Sequence, residues 1–236
     1  MNLIDNLINE GWLKTPKIID AFQKIKRKDF LPEDIKNLVE LNEALPIGYG
    51  QTISQPLTVA FMMEQLQPKP NQKILDIGSG SGWTSALLAH IVSGGELNSK
   101  LKMKNEKLTG RVIAIDIVPE LVEFGKRNVA KYNFIEKGIA EFICADGSKG
   151  YQRPSPAKQG EARDEPKAQQ AEAPFDRILV SATAEKCFPA WKEQLKIGGR
   201  IVVPIGSSIW LFVKKSEKDF QETEYPGFAF VPLIEK

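Results

Sequence analysis

The chain has 236 residues, 42% of them hydrophobic and 26% charged, which suits one large globular domain or one domain with a small appendage. Its 32 basic and 30 acidic residues give a formal charge of +2, without the basic excess of a dedicated nucleic-acid binder, so we expect no nucleic-acid partner. One histidine, His90, and two cysteines, Cys144 and Cys187, exclude a disulfide scaffold and a His- or Cys-rich metal site.

The N-terminus does not resemble a signal peptide, because Asp5 and Glu10 interrupt its first apolar stretch. The longest apolar runs, such as residues 209–213, are also far shorter than the roughly 20 residues of a membrane span. The sequence therefore predicts a cytoplasmic protein that has no membrane partner.

The first 70 residues have helical rather than strand periodicity. Apolar side chains recur at helical spacing from Leu3 onward, and Thr15 followed by Pro16 is typical of a helix start. A further helix is predicted to begin at Pro56, after a glycine-bearing loop over residues 44–55. We therefore assign residues 1–70 to an N-terminal helical segment that carries this loop.

From Lys73 onward, short apolar runs alternate with helical patterns, which indicates a parallel sheet covered by helices on both faces. Residues 209–213 and 228–234 have no crossover helix between them and are predicted to pair antiparallel at the edge of the sheet. Two polar stretches, 93–109 and 152–173, are predicted to be insertions in this core of residues 71–236, the second a disordered loop. Strands are predicted at 73–77, 111–115, 141–144, 177–180 and 200–203, and helices at 83–92, 119–132 and 185–195, the last closed by a turn at Gly198–Gly199.

Three alternating glycines follow the first strand of this core, at Gly78, Gly80 and Gly82. Glycine permits a tight turn and lets backbone N–H groups approach a ligand. A dinucleotide fingerprint would have glycine where Trp83 stands, and the carboxylate of Asp76 disfavours a pyrophosphate. These features favour a ligand with an ammonium or sulfonium group, such as S-adenosyl-L-methionine, over a plain strand–helix turn with no ligand.

The next two predicted strands also end in acidic residues. Asp116 can accept hydrogen bonds from both ribose hydroxyls, Asp146 can accept one from an adenine amino group, and Gly147 lets the ring approach. A helix N-cap at Asp116 and a simple Asp-Gly turn at Asp146 are the structural alternatives. Because open α/β sheets bind ligands at the carboxyl edge, the coincidence of these residues with the glycine loop favours a cofactor site.

The segment from Leu45 to Pro56, LPIGYGQTISQP, closely resembles the diagnostic stretch of the protein-L-isoaspartate (D-aspartate) O-methyltransferase family. The glycine loop and the Asp146–Gly147 turn also match this family, as do residues 174–180, 194–206 and 230–233. The resemblance implies a class I (Rossmann-like) S-adenosylmethionine-dependent methyltransferase with a mostly parallel sheet and an antiparallel edge. It covers nearly the whole chain apart from the two insertions.

The resemblance implies methyl transfer from S-adenosyl-L-methionine to the free carboxylate of L-isoaspartyl residues in damaged peptides and proteins, a repair reaction. We expect the enzyme to be a monomer. Ser54 matches the family's active-site position, although a helix cap before Pro56 is its structural alternative. Thr52, Ile53 and Ser54 are expected to contact the substrate, and the expected cofactor-binding residues are Asp76, Gly78, Gly80, Gly82, Asp116, Asp146 and Gly147.

Three positions depart from the family pattern. Asp116 stands where glutamate is more frequent, Leu57 where many members have His or Tyr, and residues 207–210 lack a glutamine that many members have. Two other functions therefore stay open: methylation of a different carboxylate, and a non-catalytic S-adenosylmethionine-binding scaffold. No metal is expected in any of the three.

Overall fold

The computed structural model describes residues 2–95, 110–152 and 174–235. Most of the two predicted insertions, residues 96–109 and 153–173, lies outside these ranges. Among the described residues, no helix is long and apolar enough to cross a membrane, and no group of three or more His, Cys, Asp and Glu residues could hold a metal ion.

Residues 2–70 fold into helices and one small hairpin. Pro16 and Pro56 each occupy the first turn of a helix, as predicted, where a missing N–H costs no hydrogen bond. The elements are α1 (Leu3–Asn9), α2 (Pro16–Lys24), two 3-10 helices (Arg27–Phe30 and Glu33–Leu38), β1 (Leu45–Gly48), β2 (Gln51–Ile53) and α3 (Pro56–Leu66).

The stretch predicted to be a glycine-bearing loop contains the antiparallel pair β1–β2. Gly48, Tyr49 and Gly50 all have positive φ, at 90°, 54° and 69°, and they reverse the chain tightly between the two strands. The strands have only four and three residues, too few for an alternating pattern to stand out in the sequence.

The rest of the described chain alternates strands and helices up to residue 205. Helix α4 and strand β3 have the predicted bounds, and the predicted strands at 111–115, 141–144, 177–180 and 200–203 are all present within slightly longer ones. The elements are β3 (Lys73–Ile77), α4 (Trp83–Val92), β4 (Arg111–Asp116), α5 (Pro119–Ala130), β5 (Ala140–Cys144), a 3-10 turn (Gly147–Lys149), β6 (Phe175–Val180), α6 (Pro189–Glu193), β7 (Leu195–Ile205), β8 (Ser208–Lys214) and β9 (Phe220–Pro226).

The large sheet has the strand order β5-β4-β3-β6-β7-β8-β9. The first five strands in this order are parallel, and β8 and β9 add an antiparallel edge. This confirms the predicted Rossmann-like architecture. After β3, the next strands β4 and β5 are added on one side of β3, and β6 and the later strands are added on its other side. Sheets of this kind bind ligands at the carboxyl ends of the strands where the order reverses, here at β3.

Two predictions around residue 190 are wrong. The helix expected over 185–195 is confined to Pro189–Glu193, because a residue before proline disfavours the helical conformation and Phe188 is extended (φ −66°, ψ 143°). The Gly198–Gly199 pair does not end a helix but lies inside β7. There the pairing with β6 shifts register, between Phe175 opposite Leu195 and Arg177 opposite Arg200.

The prediction of a strand at 228–234 is also wrong. The edge partner of β8 is β9, whose sequence FQETEYP is too polar to have been recognised as a strand. Residues 228–234 instead pass the end of β6, where the Thr183 amide donates to the Val231 carbonyl (2.8 Å) and the Leu233 amide donates to the Thr183 carbonyl (2.8 Å). This crossing brings the C-terminal segment to the carboxyl edge of the sheet.

The N-terminal segment and the sheet share one hydrophobic core. Buried side chains of α2 and α3, such as Phe22 and Met63, belong to the same cluster as Ile74 of β3 and Leu87 of α4. The hairpin also reaches the glycine loop, since a Cβ on Gly80 would lie 3.4 Å from Ile47 Cδ1. The first 70 residues therefore pack directly beside the carboxyl edge.

Candidate active site

The glycine loop turns sharply between β3 and α4. Gly78, Gly80 and Gly82 have φ angles of 76°, 48° and 84°, a conformation that other residues adopt at a cost. The amides of Gly78 and Ser79 donate to the Ile115 carbonyl of β4, at 2.8 and 3.1 Å. The loop is thus fixed to the neighbouring strand.

Gly82 serves close packing against helix α5. A Cβ on Gly82 would lie 2.8 Å from the carbonyl oxygen of Gly125, and a Cβ on Gly125 would lie 2.9 Å from the carbonyl oxygen of Gly80. Both distances are shorter than a carbon–oxygen contact allows. The two glycines therefore allow close contact between the loop and the helix. This packing explains why residue 82 is glycine without any contact to a ligand.

Asp116 joins the end of β4 to the glycine loop. Its Oδ2 accepts from the Gly80 amide (2.8 Å) and its Oδ1 from the Val118 amide (3.0 Å). Burial raises the pKa of this carboxyl above its usual range, although the amide hydrogen bonds act in the opposite direction. Val118, not Asp116, occupies the N-cap position of α5, so the alternative of a helix cap at Asp116 does not hold.

A cleft opens at this edge between the glycine loop and the C-terminal segment. Among the described residues that line it, Asp116 is the one charged side chain, and no Lys, Arg or His is present. A site without cations does not suit a phosphate group, whereas one carboxylate suits a sulfonium or ammonium ligand. The described lining residues are Gln51, Thr52, Ile77, Gly78, Gly80, 115–118, Ala145, Gly147, Ser181, Ala182 and 231–234.

This lining fits S-adenosyl-L-methionine. Backbone at Gly78 and Gly80 is accessible from the cleft, Asp116 supplies an acceptor for hydroxyls, and Ile117 and Val118 supply apolar surface for a base. Gly147 belongs to the same wall, and a Cβ there would clash with the side chain of Ile77. Only glycine leaves the backbone this close to β3.

Three residues predicted to bind the cofactor, Asp76, Gly82 and Asp146, are not among those lining the cleft. Asp76 is fully buried, its Oδ2 accepts from the hydroxyls of Thr84 (2.9 Å) and Ser85 (2.6 Å), and burial raises its pKa to about 6. Asp146 caps the 3-10 turn, since its Oδ1 accepts from the Ser148 amide (3.0 Å) and from the Ser148 hydroxyl (2.7 Å), which agrees with the alternative of an Asp-Gly turn. Direct contact of these three residues with the cofactor stays a prediction.

A second cavity, of about 220 Å³, lies beside the cleft and contains Ser54. Gln55 rather than Ser54 occupies the N-cap position of α3, so Ser54 is not the cap of that helix. Ile53, predicted to contact the substrate, is instead 3% exposed and packed in the core. The cavity is lined by 42–44, Thr52, Ser54, Gln55, Thr58, Ser181 and 229–231.

The cleft and the Ser54 cavity share one wall. Thr52, Ser181 and Val231 line both of them. A group bound in one space therefore meets a group bound in the other at these three residues, which is the arrangement that transfer between two ligands requires.

Arg27 holds the chain around the Ser54 cavity from behind. Its guanidinium is buried and donates to the carbonyls of Leu41 (2.9 Å) and Glu43 (2.7 Å), and more weakly to those of Val39 and Ser54 (3.2 and 3.4 Å). Burial lowers its pKa to about 10. The guanidinium also lies 5.6 Å from the ring centre of Trp83, the residue after the glycine loop.

Sequence reasoning gave no role to Ser181, Val231 or Arg27. Ser181 directly follows strand β6, so the strand-end argument used for Asp116 and Asp146 would also have identified it. Val231 reaches the site because the C-terminal segment crosses β6. Arg27 belongs to the basic run KIKRK of residues 24–28, a pattern typical of a solvated helix end. The sequence around these two residues carries no signal of their placement.

The other two departures from the family pattern, Leu57 and residues 207–210, lie outside the cleft lining. The Leu57 amide donates to Asn42 Oδ1 (3.0 Å), and its side chain packs against the core. Residues 207 and 208 lie in a different groove, with Trp210 and Glu224. Ser208 Oγ donates to Glu224 Oε1 at 2.7 Å. The absent glutamine thus falls outside the residues that line the cleft.

Comparison with known proteins agrees with this geometry. A family model described as Protein-L-isoaspartate(D-aspartate) O-methyltransferase (PCMT) matches residues 1–159 and 161–236. This chain belongs to the PCMT family. A family member from Methanopyrus kandleri, named protein-L-isoaspartate O-methyltransferase, is 34% identical over 98% of this chain and 89% of its own length.

A second PCMT relative, from Staphylothermus marinus, carries the same name and is 35% identical, over 98% of this chain and 92% of its own. The fold also matches a solved structure from Plasmodium falciparum, described as a protein-L-isoaspartate O-methyltransferase in complex with S-adenosyl-L-homocysteine. That match has a TM-score of 0.77 at 20% identity and covers 99% of this chain and 97% of the other. At that identity it supports the fold of the PCMT family.

Proposed function

We propose that this chain transfers a methyl group from S-adenosyl-L-methionine to the free carboxylate of L-isoaspartyl residues in damaged peptides and proteins, with Ser54 in the active site. The observation that carries this proposal is the pair of spaces with a common wall, one suited to a cationic nucleoside and one containing Ser54. Membership of the PCMT family supplies the substrate class.

The cleft is the proposed cofactor site. Gly78, Gly80 and Gly147 would bring backbone to the ligand, and Asp116 would accept hydrogen bonds from the ribose. Asp116 is one methylene shorter than glutamate, but its position against the Gly80 amide keeps it at the wall. Asp76, Gly82 and Asp146 complete the proposed cofactor set and act from behind the wall, through α4, α5 and the 3-10 turn.

The Ser54 cavity is the proposed substrate site, with Thr52 and Ser54 facing the carboxylate and Ile53 anchoring their strand in the core. When bound, S-adenosyl-L-methionine supplies a methyl group that is already activated on a sulfonium. A carboxyl with a pKa of about 4 is already ionised at neutral pH, so the chain needs no general base. Its residues have to exclude water and orient one carboxylate oxygen.

The position of Leu57 favours a second candidate, methylation of a different carboxylate. Its backbone binds Asn42 at the cavity wall, while its side chain offers the substrate no hydrogen bond. A non-catalytic scaffold that binds S-adenosylmethionine is a weaker candidate, because it would not require a second cavity at the same wall.

We further propose that residues 1–70 form the substrate-facing part and residues 71–236 the cofactor-binding core of one catalytic unit, which acts as a monomer in the cytoplasm. Residues of both parts line the cleft and the Ser54 cavity, which supports one catalytic unit. The two cysteines, Cys144 and Cys187, are free thiols, as is usual in reducing compartments.

Methyl transfer to an isoaspartyl peptide and to its aspartyl isomer tests the proposed reaction. We expect transfer to the isoaspartyl peptide and none above background to the isomer. Transfer to both peptides would favour the second candidate, and transfer to neither, with cofactor binding intact, would favour the scaffold.

Ser54→Ala tests the proposed active-site residue. We expect single-turnover transfer to slow about five- to hundredfold, because one positioning hydrogen bond of roughly 1–3 kcal/mol is lost, while cofactor affinity stays near wild type. Ser216→Ala, at an exposed serine in the turn between β8 and β9, is the control. A Ser54→Ala enzyme with a lower melting temperature and unchanged turnover would mean that Ser54 is only structural.

A further inference from the structure

Ser181 lies where the cleft and the Ser54 cavity meet. Ser181 follows the last residue of β6, and its amide donates to the Ile77 carbonyl of β3 at 2.8 Å, which fixes its backbone between the two central strands. The residue lines both spaces. Its Oγ is buried, and no group in the described part of the chain makes a hydrogen bond with it.

A buried hydroxyl without a protein partner costs about 1–3 kcal/mol, so it calls for a specific explanation, such as an ordered water or a bound ligand. The residues around Ser181 indicate what kind of ligand group its hydroxyl would bind. Among the described lining residues of the Ser54 cavity there is no Lys, Arg or His, and the acidic one, Glu43, is exposed. A carboxylate bound there has to be held by neutral donors.

Two other polar side chains of the cavity, Thr58 and Gln55, use donors within its wall. The Thr58 hydroxyl donates to Gln55 Oε1 (3.2 Å), and the Gln55 amide donates to the Asn42 carbonyl (2.9 Å). The hydroxyl of Ser181 has no such partner in the described chain. Ser181 itself belongs to the wall that the carboxylate must face to reach the cofactor.

We propose that Ser181 is a second substrate-binding residue, whose hydroxyl donates a hydrogen bond to the isoaspartyl carboxylate together with Ser54. The inference rests on the proposed function, because it requires a carboxylate in the Ser54 cavity. Two neutral hydroxyls orient the carboxylate without pairing its charge. A cation in their place would stabilise the ground state and weaken the oxygen as a nucleophile.

The chain provides a matched control two residues further on. Thr183 Oγ1 is also buried and lacks a partner in the described chain. Thr183 lines a different groove, with Glu185 and Trp210, and lines neither the cleft nor the Ser54 cavity. Ser181→Ala and Thr183→Val therefore each remove one buried, unpaired hydroxyl, but only the first removes it from the proposed site.

The test compares these two variants with the wild type in three measurements: steady-state transfer to an isoaspartyl peptide, calorimetric binding of S-adenosyl-L-homocysteine, and thermal unfolding. For Ser181→Ala we expect kcat/KM for the peptide to fall about ten- to hundredfold, the range for one hydrogen bond to a charged group. Cofactor affinity should stay within about twofold and the melting temperature should not fall, since the lost hydroxyl had no protein partner. Thr183→Val should match the wild type in all three.

Several results would overturn the inference. An unchanged kcat/KM in Ser181→Ala would show that Ser181 does not bind the substrate. A loss of cofactor affinity alongside a lower kcat/KM would show that the hydroxyl binds the cofactor instead. Equal losses in both variants with lower melting temperatures would make both hydroxyls structural. A wild-type chain inactive on the peptide would refute the proposed function itself, whereas an active wild type with an unaffected Ser181→Ala variant would refute only this inference.

Discussion

The cleft and the Ser54 cavity share a wall, but the chain builds them in different ways. The cleft is built largely at the ends of three strands, each followed at once by the residues that line it: Gly78 and Gly80 after β3, Ile117 after β4, and Ala145 and Gly147 after β5. The Ser54 cavity combines residues 42–58 with Ser181 and with 229–231, which lie far apart in the chain.

The two spaces also differ in what fixes their shape. Backbone hydrogen bonds and glycine contacts hold the cleft, as at Gly82 and Gly125. The wall of the Ser54 cavity has little regular structure over residues 39–44, and the guanidinium of Arg27 binds its carbonyls directly. The cofactor half therefore follows from local geometry, whereas the substrate half depends on single long-range contacts.

Among the substitutions considered, Arg27→Met, which acts on the substrate half, is expected to have the largest effect on stability. Removing the guanidinium leaves the carbonyls of Leu41 and Glu43 without their donor, so we expect the free energy of unfolding to fall by about 3–5 kcal/mol. In the folded fraction, KM for the peptide should rise more than the dissociation constant of S-adenosyl-L-homocysteine. Denaturant unfolding and both binding measurements check this. Unchanged stability in this variant would contradict the view that the contacts of Arg27 fix the shape of the Ser54 cavity.

Asp76, which lies behind the cofactor cleft, is expected to make the free energy of unfolding depend on pH, by up to about 3 kcal/mol. Its pKa is raised from 3.8 to about 6 in the folded protein by burial, so the folded state holds this proton more tightly than the unfolded chain does. The stability it contributes is therefore full below about pH 3.8 and is lost as the pH rises to about 6, at about 1.4 kcal/mol per pH unit.

Asp76→Asn should lack this slope while keeping an oxygen for Thr84 and Ser85. The difference in unfolding free energy between wild type and variant, measured from pH 4 to pH 7, should shift in favour of the variant as the pH rises. A pH-independent difference would mean that the Asp76 carboxyl titrates normally despite its burial.

Asp116→Ala should have a smaller effect on binding, on the cofactor rather than on the peptide. Some stability should also be lost, because the amides of Gly80 and Val118 lose their acceptor. Loss of the ribose acceptor is expected to weaken binding of S-adenosyl-L-methionine about ten- to hundredfold, or roughly 1.5–3 kcal/mol. KM for the peptide at saturating cofactor should change little, because Asp116 does not line the Ser54 cavity. Unchanged calorimetric affinity would contradict its assignment to the cofactor.

The same contrast explains which features the sequence predicts. Strand ends and glycines are local, so the sequence predicts β3 and α4 with their observed bounds and places Gly78, Asp116 and Gly147 at the ends of successive strands. The hairpin β1–β2 and the polar strand β9 were missed because short or polar strands give no clear alternation. The orphan hydroxyl of Ser181 depends on tertiary packing, which no local pattern contains.

The central claim is that a cofactor in the cleft and a carboxylate in the Ser54 cavity meet at Thr52, Ser181 and Val231. A crystal structure with S-adenosyl-L-homocysteine and an isoaspartyl peptide measures this most directly. We expect the cofactor sulfur and one carboxylate oxygen to face each other beside these three residues, with the carboxylate within hydrogen-bonding distance of Ser54 and Ser181. A carboxylate bound elsewhere, or a cofactor extending into the Ser54 cavity itself, would contradict it.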